Sequence, residues 1–234
     1  MIQFRFTASL LKLFCFMSML AFGPILFYLI SQFVPASADY NIASQKQLAS
    51  EKISLENRYG NNYVNGVFRD NILLTLAYLS GKVGSKEEID WKKINEPFTY
   101  KFSLEADKTF AFHEDVLPEY KNTLVKTTNA NFNFEDGFKS DGYLMGDGVC
   151  HLASLINWAA KEAGLSTLAP RNHDFAVIPE IAGEYGVAIY KMPGAIQANA
   201  LQNLYVTNNK ESTVEFEFSY KNGELEVTIK EVKI

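Results

Sequence analysis

Apolar residues recur at helical spacing in two stretches of the chain. A helix is predicted over residues 67–79, where one face carries Phe68, Ile72, Leu76 and Leu79, and Gly81 follows its end. A second helix is predicted over residues 150–163, where the apolar face carries Leu152, Leu155, Ile156, Ala159 and Ala163. Gly164 is positioned to end this second helix.

Alternation of apolar and polar residues predicts strands in the rest of the domain. FTYKFSL from Phe98 and KTFAF from Lys108 alternate with period two, and two further alternating runs surround Asn222-Gly223, a dipeptide that favours tight hairpin turns. The runs FAVIP and GVAIY also predict strands, and residues 122–142 predict a loop with one short strand. The order of elements predicts an α+β domain, with helices packed on a mostly antiparallel sheet.

The N-terminus carries a long uncharged apolar run, from Leu13 to Ile30, after Arg5 and Lys12. Two interpretations stay open: an uncleaved transmembrane helix, or a signal peptide cut after Ala36-Ser37-Ala38. Both place the globular part outside the cytoplasmic membrane, in a protein that is secreted or bound to the cell membrane. We therefore predict a signal peptide or membrane anchor over residues 1–38, a polar tether over 39–65 and a globular domain over 66–234.

Charge and cysteine content exclude several classes of protein. The first 38 residues contain two bases and no acid, so the remainder carries 20 bases and 27 acids, a net charge of −7. Without a basic stripe a nucleic-acid partner is not expected. Cys15 lies in the apolar run and Cys150 far downstream, so no disulfide is predicted. No cofactor is predicted either.

Cys150 is the residue with the clearest chemical potential. It follows the turn Gly146-Asp147-Gly148 and begins a predicted helix, where unpaired amides and the helix dipole favour a thiolate. Glycines in the turn can let a substrate approach, and nearby amides can stabilise an oxyanion. We therefore assign Cys150 as a candidate nucleophile, and Gly146, Asp147 and Gly148 as candidate substrate-binding residues.

A thiolate needs a base that can also protonate the leaving group, and His173 is the candidate. His151 is adjacent to Cys150 and points about 100° away from it on a helix. Glu184, before GVAIY, is preferred over Asp174 as the acid that orients the imidazole. A zinc site is not predicted, because adjacent ligands such as Cys150 and His151 rarely both bind one metal.

The segment GDGVCHLASLINWAAKEAGL, followed by Asn172-His173, resembles the signature of VanW-like proteins. RDNILLTLAYLSGKV, INEPFTYKF, SDGY and NLYVTNN resemble further parts of that family in the same order, so the resemblance covers roughly residues 53–210. It departs from the family pattern at His151, where Gln is usual, at Asp147, where a third glycine is usual, and at Glu184-Tyr185, where an Asp is expected. These departures leave Cys150 and His173 in place.

The resemblance implies an exported or membrane-anchored protein of the cell envelope and carries no established reaction with it. The order of Cys, His and acid is also similar, by analogy of arrangement, to transglutaminase-like enzymes. Two hypotheses stay open. Either Cys150, His173 and Glu184 catalyse acyl transfer or hydrolysis on peptide or peptidoglycan amides, or the domain is a non-catalytic module that binds peptidoglycan or a partner protein.

Overall fold

The computed structural model describes residues 44–142 and 145–233. Its helices are α1 (Asn62–Leu79), α2 (Trp91–Ile94), α3 (Val149–Glu162) and α4 (Ile196–Ala200). Its strands are β1 (Ser44–Ser54), β2 (Phe98–Leu104), β3 (Thr109–Ala111), β4 (Leu124–Lys126), β5 (Ser166–Leu168), β6 (Tyr205–Thr207), β7 (Thr213–Lys221) and β8 (Glu224–Lys233). The predicted α+β class is confirmed.

The strands form two four-stranded sheets. The first has the order β1-β8-β7-β2 and is antiparallel throughout. The second has the order β4-β3-β6-β5, in which only the β3–β4 pair is parallel. Phe102 of β2 stacks on Phe216 of β7, with 4.9 Å between ring centroids, and on Phe110 of β3 at 5.5 Å. These rings join the two sheets in one apolar core.

The C-terminal hairpin forms as its turn residues predict. Asn222 has φ 55° and Gly223 has φ 76°, the positive angles that a tight two-residue turn requires. Alternation in β7 sends four side chains into the core, namely Val214, Phe216, Phe218 and Tyr220.

The tether predicted over residues 39–65 differs from the structure from Ser44 onward. Residues 44–54 are strand β1, which pairs with β8 along its whole length, from Ser44 opposite Lys233 to Ser54 opposite Glu224. The sequence of β1 is polar because most of its side chains remain at least partly exposed. Backbone hydrogen bonds to β8, rather than burial of apolar side chains, stabilise the strand. Helix α1 begins at Asn62, where the side chain of Asn61 caps the first free amides.

Helix α3 lies against β1 and β8 of the first sheet and also contacts α1. The predicted strands FAVIP and GVAIY are not strands. Residues 175–179 form a loop, with the side chains of Phe175 and Val177 exposed, and residues 186–190 run without regular secondary structure beside α3.

Within the described ranges, no helix has both the length and the apolar character needed to cross a bilayer. The apolar run Leu13–Ile30, predicted as a signal peptide or anchor, lies outside those ranges.

Candidate functional site

The turn Gly146-Asp147-Gly148 packs tightly against neighbouring backbone. Gly148 has φ 99°, and a Cβ there would lie 2.6 Å from the carbonyl oxygen of Phe68 in α1. Gly146 has φ 78°, and its Cβ would lie 3.0 Å from the carbonyl oxygen of Phe132. Both glycines therefore allow close contact between backbone segments of the domain itself.

Asn71 of α1 fixes this turn, a role that the sequence analysis missed. The fully buried side chain donates to the carbonyl oxygens of Asp147 at 2.9 Å and Lys139 at 3.0 Å, and accepts from the Lys139 amide at 2.9 Å. An amide among apolar residues in the middle of a helix is the signal that could have identified it, because buried polar groups need partners. Asp147 accepts a hydrogen bond from the Asp141 amide, and burial raises the pKa of its carboxyl.

Cys150 lies in the first turn of α3, as predicted, and its sulfur is held by the backbone of Ile189. The Ile189 amide donates to Sγ at 3.3 Å, and the thiol lies 3.6 Å from the Ile189 carbonyl oxygen, to which it donates. Burial of the sulfur raises the pKa of the Cys150 thiol to about 11, and the charge of Asp147 acts in the same direction. Desolvation of the thiolate thus outweighs the hydrogen bond from the Ile189 amide, which by itself lowers the pKa.

The Cys150–Ile189 contact belongs to a ladder of hydrogen bonds along one stripe of α3. Three further side chains of the stripe bond the backbone of the same segment: Ser154 Oγ accepts from the Val187 amide, Asn157 Nδ2 donates to the Tyr185 carbonyl and Lys161 Nζ donates to the Glu184 carbonyl. The stripe thus supplies hydrogen-bond partners to Glu184, Tyr185, Val187 and Ile189, while the Ala188 amide donates to the Arg171 carbonyl. Cys150 is its first member.

His173 has local partners. Its ring lies 3.9 Å from that of Phe175, measured between centroids, and Nδ1 is 3.1 Å from the carbonyl oxygen of Ala176. The His151 ring is 6.1 Å away. Burial lowers the pKa of His173, while the nearby charge of Asp174 acts in the opposite direction.

The described residues show no hydrogen bond between Cys150 and His173. Glu184 lies exposed in a 3-10 turn (Gly183–Tyr185), and its contact with α3 is made by its backbone carbonyl. No hydrogen bond joins its carboxylate to His173 in the part of the chain that the structure describes. The ring of His151, the residue after Cys150, lies 6.1 Å from the His173 ring, but Cys150 and His173 are bonded to different backbone groups.

Arg58 is a second residue that the sequence analysis missed, because it falls in the predicted tether. The side chain is fully buried and donates to the carbonyl oxygens of Ser54 at 2.6 Å and Pro179 at 3.2 Å. It also forms an ion pair with Glu180 at 2.9 Å. Arg58 therefore fastens the end of the loop that carries His173 to the end of β1.

Arg58 also lies close enough to act on His151. Burial is the main cause that lowers the pKa of His151 to about 3, and the charge of Arg58 acts in the same direction. The Nδ1 atom of His151 is buried and has no hydrogen-bond partner, and the ring packs edge-on against Phe68 at 5.0 Å. His151 is therefore held neutral.

Across residues 44–142 and 145–233, no cluster of three or more His, Cys, Asp or Glu side chains is arranged to hold a metal ion.

Comparison with known proteins does not assign the chain to a family. No protein-family model, no curated protein and no solved structure matches the chain. Membership of the VanW-like family stays a prediction that depends on the Gly-Asp-Gly turn, Cys150 and Asn172-His173.

Proposed function

We propose that this domain is a non-catalytic module of the cell envelope that binds peptidoglycan. The observation that favours a module over an enzyme is the pair of hydrogen bonds between Cys150 Sγ and the backbone of Ile189. A nucleophilic cysteine needs a thiolate near neutral pH and a base beside it. The surroundings of Cys150 raise its pKa instead, and its place in the α3 ladder gives the thiol a structural role.

The compartment in this proposal comes from the sequence. The apolar run Leu13–Ile30 supports export or anchoring, and the resemblance to VanW-like proteins supports an envelope location. A transglutaminase-like acyl transferase using Cys150, His173 and Glu184 is the rival hypothesis. A partner protein in place of peptidoglycan is the other.

The Cys150 thiol is expected to react slowly with iodoacetamide. At pH 8 a pKa of about 11 leaves roughly a hundredth of the thiolate that an ordinary thiol of pKa 9.0 has. The measurement is alkylation of a Cys15→Ser variant, in which Cys150 is the only thiol, followed by mass spectrometry. The same variant unfolded in urea is the control and should react at the rate of free cysteine. Rapid alkylation of the folded protein would support the enzyme hypothesis.

Replacing Cys150 separates a structural role from a catalytic one. Cys150→Ala leaves the Ile189 amide without its acceptor and should lower the free energy of unfolding by about 1–3 kcal/mol. Cys150→Ser keeps a group that donates and accepts, so its loss should be smaller. Urea unfolding of both variants measures this difference.

Sedimentation of the full chain, purified in detergent, with insoluble peptidoglycan tests the function directly. Native protein and Cys150→Ser should sediment to the same extent, because the thiol takes no part in binding. Failure of the native chain to sediment, or peptide or ester hydrolysis that disappears in Cys150→Ser, would contradict the proposal.

A further inference from the structure

A wide groove lies next to the Gly-rich turn and takes no part in the Cys150 ladder. It has a volume of about 760 Å³. Its walls are the start of α1, the segment around Lys86 and Trp91, and residues between 134 and 140 together with Met145. This volume is within the range of ligand sites, roughly 300–1,000 Å³.

Large apolar side chains line the groove and face solvent. Tyr63 is 70% exposed, Phe134 63% and Met145 41%, whereas most large apolar residues of the domain are buried. Exposed rings grouped around one concavity indicate an interaction site rather than isolated surface residues. Tyr63 is the most accessible of these rings, since Lys86 Nζ lies 3.3 Å from the Phe134 ring centroid.

Hydrogen-bonding groups are interspersed among these rings, and their charges nearly cancel. Asp70 and Lys139 form an ion pair inside the groove, and Lys139 Nζ also lies 3.8 Å from the ring centroid of Trp91. Lys86 belongs to a turn that also carries Glu87 and Glu88. Asn62 adds an uncharged amide to the lining.

This balance of groups determines which ligand fits. A polyanion would need several unpaired cations; of the two lysines that line the groove, Lys139 already has a carboxylate partner and Lys86 lies over the Phe134 ring. An extended peptide is usually bound by a free strand edge, and the groove is lined by helices and loops rather than by strands β1–β8. A sugar ring has an apolar C–H face and polar edges, which match exposed aromatic rings beside amide and carboxylate groups.

The geometry points to a binding site for a neutral polysaccharide in this groove, with Tyr63 and Phe134 as the stacking rings and Asn62 and the Asp70–Lys139 pair as hydrogen-bonding partners. This inference rests on the proposed function and names the part of peptidoglycan that is bound: the glycan strand, not the stem peptide.

The test compares three ligands with the full chain in detergent. These are whole peptidoglycan, glycan strands freed of stem peptides by an amidase, and the isolated stem peptide; a soluble chitin oligosaccharide serves as a competitor. We expect whole peptidoglycan to bind, the uncharged chitin oligosaccharide to compete and the peptide not to bind. Freed glycan, which carries a lactyl carboxylate on each muramic acid after the amidase cut, should still bind. A roughly tenfold increase in salt should leave binding unchanged, because no ion pair with the ligand is formed.

Substitutions of exposed rings test whether the glycan binds in this groove. Tyr63→Ala and Phe134→Ala should each weaken glycan binding by at least about fivefold. Their matched controls are Tyr190→Ala, 47% exposed, and Phe175→Ala, 71% exposed, which lie outside the groove and should bind normally. All four side chains are exposed, and circular dichroism checks that each variant is folded.

The outcomes separate this inference from the proposed function. If whole peptidoglycan binds but the chitin oligosaccharide does not compete, or if Phe175→Ala weakens binding and Tyr63→Ala does not, the groove proposal is wrong and the binding module stands. Strong weakening by salt would indicate an anionic ligand and would also overturn it. If no preparation binds, both proposals fail.

Discussion

Replacing Gly148 by alanine is expected to lower the free energy of unfolding by about 3–5 kcal/mol, a large share of a typical domain's stability. Two costs combine at this position. The backbone has φ 99°, which a residue with a Cβ rarely adopts, and the new methyl group would lie 2.6 Å from the Phe68 carbonyl oxygen and 2.9 Å from its Cα. Because these are backbone atoms of α1, relief requires α1 and α3 to move apart.

Gly194→Ala is the matched control. Gly194 has φ 79° and no atom within 4 Å of the position where a Cβ would lie, so only the conformational cost of about 1–2 kcal/mol is expected. Urea unfolding of the full chain, followed by circular dichroism, measures both variants. Equal losses would mean that the close contact between the turn and α1 carries no energetic weight.

Where local pattern and local chemistry agree, the sequence predicts the structure well. Strand β2 has the predicted bounds, and the turn Asn222-Gly223 lies between two long strands as expected. These elements depend on alternation and on backbone angles that neighbouring residues determine. The folding of β1 depends on something else. Its pairing partner is β8, far away in sequence, and only Ala49 and Ile53 of its side chains are buried, so alternation is too weak to reveal it.

GVAIY shows why an apolar run alone misleads. Its backbone amides find partners, as strand amides must, but no neighbouring strand supplies them: Val187 and Ile189 donate to side chains of α3, and the other three amides donate to carbonyl oxygens of separate loop segments. The spacing of Cys150, Ser154, Asn157 and Lys161 on one helical stripe is visible in the sequence. What the sequence does not contain is the path of the chain after residue 180, which brings residues 184–189 to that stripe.

The candidate site is a similar case. A position at a helix N-terminus favours the thiolate form of Cys150, but this argument considers only the helix and not what packs against the sulfur. The thiol's pKa depends on what buries the sulfur and on its hydrogen bonds, and here Ile189, 39 positions away, supplies the hydrogen bonds. Chemistry that depends on desolvation cannot be derived from residue spacing.

Acidification is expected to unfold the domain through its histidines, well above the pH at which carboxylates titrate. All three are buried, and burial lowers the pKa of His113 from 6.5 to about 4 and that of His151 to about 3. In His113 the ring accepts from Asn203 at Nδ1 and donates from Nε2 to the Gln202 carbonyl. A second proton on the ring would sit on Nδ1, where it would face the N–H donor of Asn203 and break that hydrogen bond.

The direction of the effect follows from proton binding. Above pH 6.5 these histidines are neutral in both states and contribute no pH dependence. As pH falls below 6.5 the unfolded chain gains protons that the folded chain does not, so stability decreases by up to about 1.4 kcal/mol per pH unit for each histidine. His113 and His151 together should remove roughly 5 kcal/mol by pH 4.5. Asp147, whose pKa burial raises, offsets a part of this loss.

Urea midpoints between pH 7.5 and 4.5 measure the effect. His113→Gln and His151→Gln should each flatten a substantial part of the decline, whatever their stability at pH 7.5, because each removes one of the two histidines with the largest downward pKa shifts; His173, whose pKa burial also lowers, contributes to the remainder. Glu217→Gln is the control: hydrogen bonds from lysines lower the pKa of Glu217 below 4.5, so its contribution is lost at lower pH and the decline should persist. If the histidine variants decline as steeply as the native chain, protonation of these buried rings does not drive acid unfolding.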